Sequence, residues 1–148
     1  MSAPTRTALD TSVLVAALER GHVHHEIARP YLRDGHDGTR ALIVSAHGVA
    51  EAFATLTALP LTPRIPPAKA LRLLDESVLA VAETVALDGR DYRAVLDRLA
   101  DLGLAGGAVY DILHVRAAEK ASADELVTFN GRDFRRMPPA APCRLVVL

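Results

Sequence analysis

Four carboxylates stand out by the company they keep. Asp10 directly follows the apolar-ending run TRTAL, and Glu51 sits among Val49, Ala50, Ala52 and Phe53. Asp111 lies within GGAVYDILHVRAAEK, beside Val109, Tyr110, Ile112, Leu113 and Val115. Asp133 follows ELVTF in the stretch TFNGRDF. A lone carboxylate in apolar surroundings is costly, on the order of several kcal/mol, unless something compensates it. Such an acid either caps or pairs locally, or it faces a cavity that holds a cation. Several carboxylates gathered in one place repel one another, and a divalent ion removes the conflict. Oxygen donors with few histidine or cysteine partners favour Mg²⁺, or Mn²⁺, over zinc. An ion of that kind activates water near neutral pH for in-line attack on a phosphodiester.

Each acid also has a local reading. Asp10 can cap a helix, although Thr11 and Ser12 could do so equally well. Glu51 taken alone is an ordinary solvent-facing helix residue. Asp111 suits a first helical turn through the helix dipole, and Asp133 suits a turn or a cap. The joint pattern, rather than any one residue, carries the inference.

These acids need elements to bring them together. Thr5–Leu9 reads as a first strand, and SVLVAALER as a helix that Gly21 ends. HHEIARPYLRD is a second helix with Pro30 in its interior, and ALIVS, residues 41–45, a buried second strand. AHGVAEAFATLTAL is a helix that stops at Pro60, and PPAKALRLLDES another that starts on prolines. LAVAETVAL is a third strand. DGRDYRAVLDRLADLG is a helix with Asp88 as cap, Asp91 three residues later and Gly103 as its end. A helix over roughly 108–121 carries Asp111, ELVTF is a fourth strand and RLVVL a fifth. Short strands that are apolar on both faces and separated by helices predict a three-layer α/β/α sandwich with a central, mainly parallel, roughly five-stranded sheet. Every candidate acid then falls just past a strand or early in a helix, where parallel sheets bind ligands.

Composition sets the outer bounds. The chain has 148 residues, half of them hydrophobic, which is enough for one domain with one core and too apolar for a disordered chain. The formal charge is −1, so no net basic character announces nucleic acid, but residues 129–148 hold four arginines against one acid. The single cysteine, Cys143, excludes an internal disulfide framework and a cysteine-rich zinc site, and suits a reducing compartment. Asp10 interrupts the N-terminal apolar run and no apolar stretch reaches about 18 residues, so neither a signal peptide nor a membrane span is expected, and the cytosol is the expected location.

In that order, LDTSVLVAALE, AEAFATL, GGAVYDILHVRAAE and LVTFNGRDF resemble the four motif blocks of PIN-domain nucleases, nearest to bacterial VapC-type toxins of type II toxin–antitoxin systems. The resemblance runs from Ala8 to Phe134. It implies a metal-dependent endoribonuclease that leaves 5′-phosphate and 3′-hydroxyl ends, forms a homodimer and is held inactive by a small VapB-like antitoxin. By position, Asp10, Glu51 and Asp111 carry over as metal-binding, catalytic acids. The family's fourth acid stands at position 130 or at 133; Asn130 fills the first here, so Asp133 inherits the role. Ser12, Thr128 and Asn130 match supporting positions that orient carboxylates or water. Arg116, Arg132, Arg135 and Arg136 are candidates for contacts with the RNA backbone. The helices at Ser12–Glu19 and Ala46–Leu59 offer apolar faces to an amphipathic partner segment.

Other features read more plainly. His22, His24 and His25 lack a second ligand cluster and read as a solvated loop or helix start, and His114 as an ordinary packed or exposed histidine. Dehalogenase-like enzymes want a second Asp two residues after the first, where this chain has Ser12, and receiver domains want an acid pair there. A catalytically inactive PIN-like domain that binds RNA or a partner is the remaining alternative, and the presence of the three principal acids speaks against it.

Overall fold

The fold, seen in a computed structural model, is described for residues 2–148. Five strands form one sheet: β1 (Thr5–Leu9), β2 (Arg40–Ser45), β3 (Glu83–Val85), β4 (Glu125–Thr128) and β5 (Arg144–Val147). Between them run α1 (Thr11–Leu18), α2 (His25–His36), α3 (Ala46–Ala58), α4 (Pro67–Leu74), α5 (Gly89–Leu102), α6 (Ala108–Lys120) and the short α7 (Gly131–Phe134). The strand order is β3-β2-β1-β4-β5, and every adjacent pair is parallel. The predicted sandwich is therefore present, with a wholly parallel sheet.

The strands alternate between two cores, which is why both faces must be covered. Leu9, Leu42, Val44 and Val127 point into the core under α1, α2, α3 and α4. Their neighbours Ala8, Ile43 and Leu126 point into the core under α5 and α6. Leu9, Leu14, Ile43, Leu56 and Leu126 are wholly buried, and each contributes about 1.5–3 kcal/mol relative to exposure.

The topology decides where a ligand can sit. The chain winds from β1 outward through β2 to β3, then crosses back to place β4 on the other side of β1. The strand order thus reverses between β1 and β4, and a crevice opens beyond their carboxyl ends. Asp10 is the first residue past β1 and Thr128 the last of β4. The Asp10 amide still donates to the Val127 carbonyl (3.2 Å), so Asp10 stands at the rim of that crevice.

Several sequence expectations need correction. α1 stops at Leu18, with Glu19 rather than Gly21 closing it. α2 continues through Pro30; the carbonyl deprived of a partner belongs to Glu26, which is exposed to water. The third strand covers only Glu83–Val85: Leu79 ends a π-helical turn, Asp75–Leu79, that continues α4, and residues 80–82 turn the chain before the strand. The capping box of Asp88 and Asp91 and the left-handed Gly103 (φ 67°) bound α5 as expected. α7 was not expected, since four residues are too few to show a period.

Candidate functional site

Asp10 is 3% exposed and doubly employed. Its Oδ1 accepts from the Val13 amide (3.1 Å), capping α1, and from Ser12 Oγ (2.6 Å). Its Oδ2 accepts from Thr128 Oγ1 (2.6 Å). The two hydroxyls are held in turn, because Ser12 Oγ accepts from the Phe129 amide (3.1 Å) and Thr128 Oγ1 from the Asn130 amide (2.9 Å). Capping and site placement are thus one arrangement: the backbone of the β4–α7 loop fixes the hydroxyls, and the hydroxyls fix the carboxylate.

Asp111 behaves differently. It lies in the first turn of α6, half-buried, and its carboxylate accepts no hydrogen bond from the described residues. Burial pushes its pKa up to about 6; the His114 ring counters this, while Asp133, Asp10 and Glu51 each push it further up. The other three acids therefore act on Asp111, which is left without a partner among the described residues.

Glu51, one and a half turns into α3, is tied down more fully. Thr11 Oγ1 donates a short hydrogen bond to its Oε1, and His114 Nε2 lies 3.3 Å from the same oxygen. These contacts, His114 first, hold its carboxyl well below the usual range against the opposing pull of burial. His47 Nε2 stands 3.3 Å from Oε2. Asp133 accepts from Asn130 Nδ2 (2.9 Å) and pairs with Arg136 (3.2 Å). Asn130 thus holds Asp133 in place rather than presenting an acid itself.

The arginines divide. Arg132 and Arg135 are exposed beside the last motif and make no ion pair among the described residues. Arg136 shares Asp133. Arg116 is a correction to the sequence reading: it lies on the far face of α6 and pairs with Asp91 (2.9 Å), as does Lys120 (2.6 Å). Two cations converge on a buried carboxylate there and hold it well below the normal range, with the Lys120 hydrogen bond the largest influence. Arg116 clamps α5 to α6 and does not reach the crevice.

The histidines keep to part of their expectation, since His25 begins α2 and His114 is packed, but their contacts go further. His114 is buried against Glu51, Thr11 and Ser45. His25 is buried with Nδ1 at 2.9 Å from the Ala16 carbonyl oxygen, and His24 stacks on Phe129 (4.6 Å between centroids). His24 and Phe129 join Thr11, Ser12, Thr55 and Leu59 in lining a cleft of about 500 Å³ that opens onto Glu51. The expected partner-binding face of α1 is largely absent, because Val13–Leu18 are all buried. What remains is this cleft between α1 and α3. Sequence reading missed His47 altogether; its spacing of four from Glu51 was the available signal.

The carboxylates of Asp10, Glu51, Asp111 and Asp133 are the donors a hard divalent cation would use, and Asp111 is half-buried, its pKa raised by burial and by the other three, and unpartnered among the described residues. No three of these acids place ligand atoms within 4.8 Å of one another among the described residues; His47, Glu51 and His114 do. Among the described residues no helix is long and apolar enough to cross a membrane.

Comparison with known proteins agrees with this fold. The chain is 37% identical over 126 residues to Ribonuclease VapC40 of Mycobacterium tuberculosis, covering 85% of each chain. It is 34% identical over 125 residues to Ribonuclease VapC27 of the same organism, covering 84% of this chain and 85% of that protein. In fold it is similar to VapBC2 from Rickettsia felis, solved bound to a DNA fragment from its promoter, with a TM-score of 0.67 at 20% identity, covering 97% of this chain and 99% of that one. The PIN domain model matches residues 7–138, and the chain belongs to the PIN-domain family.

Proposed function

We propose that the protein is a metal-dependent endoribonuclease, the toxin of a type II toxin–antitoxin pair. The single observation that carries the reading is Asp111, a half-buried carboxylate with no partner among the described residues, acted on by three further acids near the crevice where the sheet order reverses. The ribonuclease names of relatives that align over most of the chain support the same reaction. We read residues 1–148 as one PIN domain acting in the cytosol.

Asp10, Glu51, Asp111 and Asp133 would hold Mg²⁺ or Mn²⁺, which supplies activated water and offsets charge on the phosphate. Ser12 and Thr128 fix both oxygens of Asp10, so that ligand needs no reorganisation when substrate arrives. Thr11 and His114 hold Glu51 ionised and turned into the crevice. Arg132, Arg135 and Arg136 flank Asp133 and supply positive charge for the RNA backbone without reading its bases. The cleft beside Glu51 is where a segment of the antitoxin would enter, and the fold it shares with VapBC2 supports such a partner. A homodimer completes the reading.

The test is cleavage of RNA by purified protein with Mg²⁺, with Mn²⁺ and with chelator, scored by product ends, beside identically purified Asp111→Asn. Metal-dependent cleavage leaving 5′-phosphates, lost in the folded variant, supports the reading. Equal cleavage by both proteins refutes it.

A further inference from the structure

Glu51 acts on the charge of Asp111 and lies against two imidazoles. His47 precedes it by one turn on α3, and His114 follows Asp111 by one turn on α6. One ligand atom from each of His47, Glu51 and His114 lies within 4.8 Å of the others. His47 Nε2 is 3.3 Å from Glu51 Oε2, and His114 Nε2 is 3.3 Å from Oε1. Donors bound tetrahedrally at zinc-like distances stand about 3.4 Å apart. Each histidine nitrogen stands at about that separation from one Glu51 oxygen, His47 from Oε2 and His114 from Oε1.

Three further features show that the imidazoles are positioned. His47 Nε2 is buried yet makes no aligned hydrogen bond, which leaves a nitrogen aimed at Glu51 without a proper partner. Its ring is held between Tyr110, stacked at 5.9 Å, and His114, edge-on at 5.3 Å. His114 Nδ1 lies 3.4 Å from Ser45 Oγ, the kind of outer contact that determines which ring nitrogen faces a metal. Gly48 makes room for this: a Cβ there would fall 2.9 Å from His114 Cε1 and 2.9 Å from Ser45 Oγ. A side chain at position 48 would push His114 off α3.

We propose that His47, Glu51 and His114 form a second cation position, for an imidazole-seeking divalent ion of the zinc and cobalt class. Two imidazoles and one carboxylate suit such ions and not Mg²⁺, which keeps to oxygen. The inference rests on the nuclease reading only through Glu51, which both positions share. An ion at the histidines takes Glu51 from the acidic set, so the two positions sort metals by hardness and the softer ion opposes the harder one.

The test is binding of Zn²⁺ by calorimetry in excess Mg²⁺, together with the visible absorption of Co²⁺, on the whole metal-stripped chain. The variants are His47→Gln, which is partly exposed, and Asp111→Asn, with circular dichroism to show that each is folded. Zn²⁺ should bind at one equivalent, and His47→Gln should weaken it about 100-fold or more, beyond the 10–100-fold typical of losing an outer partner. Asp111→Asn should not weaken it, and in excess Mg²⁺ should tighten it, because the competing ion holds Glu51 less firmly. Co²⁺ should give a visible band that His47→Gln abolishes. Absence of stoichiometric binding, binding unchanged by His47→Gln, or binding lost equally in Asp111→Asn would each overturn the proposal. None of these readouts depends on cleavage, so failure of the ribonuclease reading would be seen separately.

Discussion

Replacing Asp111 with asparagine should stabilise the metal-free protein and destabilise it relative to wild type once metal is added. The carboxyl's pKa rises from 3.8 to about 6 on folding, chiefly through burial. At about 1.36 kcal/mol per pKa unit this amounts to about 3 kcal/mol against the folded state. Asp111 is only half-buried, so screening leaves about 1–2 kcal/mol. The direction follows from the raised value. Below the unfolded pKa both states hold the proton and there is no penalty; as pH rises through about 6 the folded state loses its advantage and the penalty becomes complete. Asparagine is nearly isosteric and no hydrogen bond is lost, so in chelator Asp111→Asn should match wild type at pH 4 and exceed it by about 1–2 kcal/mol at pH 8. With Mg²⁺ at 100 times its dissociation constant, wild type should gain about 2.7 kcal/mol and the variant far less, which reverses the order. Urea unfolding followed by circular dichroism at both pH values, with chelator and with Mg²⁺, measures all four quantities. A variant less stable than wild type in chelator at pH 8, or equal stabilisation of both proteins by Mg²⁺, would refute the reasoning.

Three other outcomes follow from the same geometry. Thr128→Val removes a donor from buried Asp10; it should lower Mg²⁺ affinity about 10–100-fold in calorimetry and stability by about 1–3 kcal/mol in urea. Arg132→Gln and Arg135→Gln should each weaken single-stranded RNA binding and reduce the slope of log affinity against log salt by about 0.7, while Arg116→Gln should leave that slope unchanged and lower the melting temperature instead. Asp91→Ala removes a capping-box residue and strands Arg116 and Lys120; stability should fall by about 2–4 kcal/mol with cleavage per folded molecule unaltered.

The sheet was legible because β1, β2 and β4 are apolar on both faces, and a strand with two buried faces implies helices on each side. The positions of Asp10, Glu51 and Asp111 relative to those strands followed directly. β3 was overdrawn because the apolar residues 79–82, LAVA, have the composition of a strand but form the end of the π-helical turn and the bend after it. Arg116 was misassigned because charge alone does not show which face of α6 a residue occupies, and its partner Asp91 is 25 residues away in sequence. His114 was undervalued for the same reason: its contacts with Glu51 and Thr11 span 63 and 103 residues, and no local pattern encodes them. Gly48, inside α3, is where His114 closes on that helix.

The most direct test is anomalous diffraction at the manganese edge from crystals grown with Mn²⁺. A peak within about 2.0–2.5 Å of carboxylate oxygens of both Asp10 and Asp111 is expected, with Asp111 turned toward the ion. Crystals that hold Mn²⁺ elsewhere, with no peak at Asp111, would contradict the claim that this carboxylate is in the crevice to bind a metal.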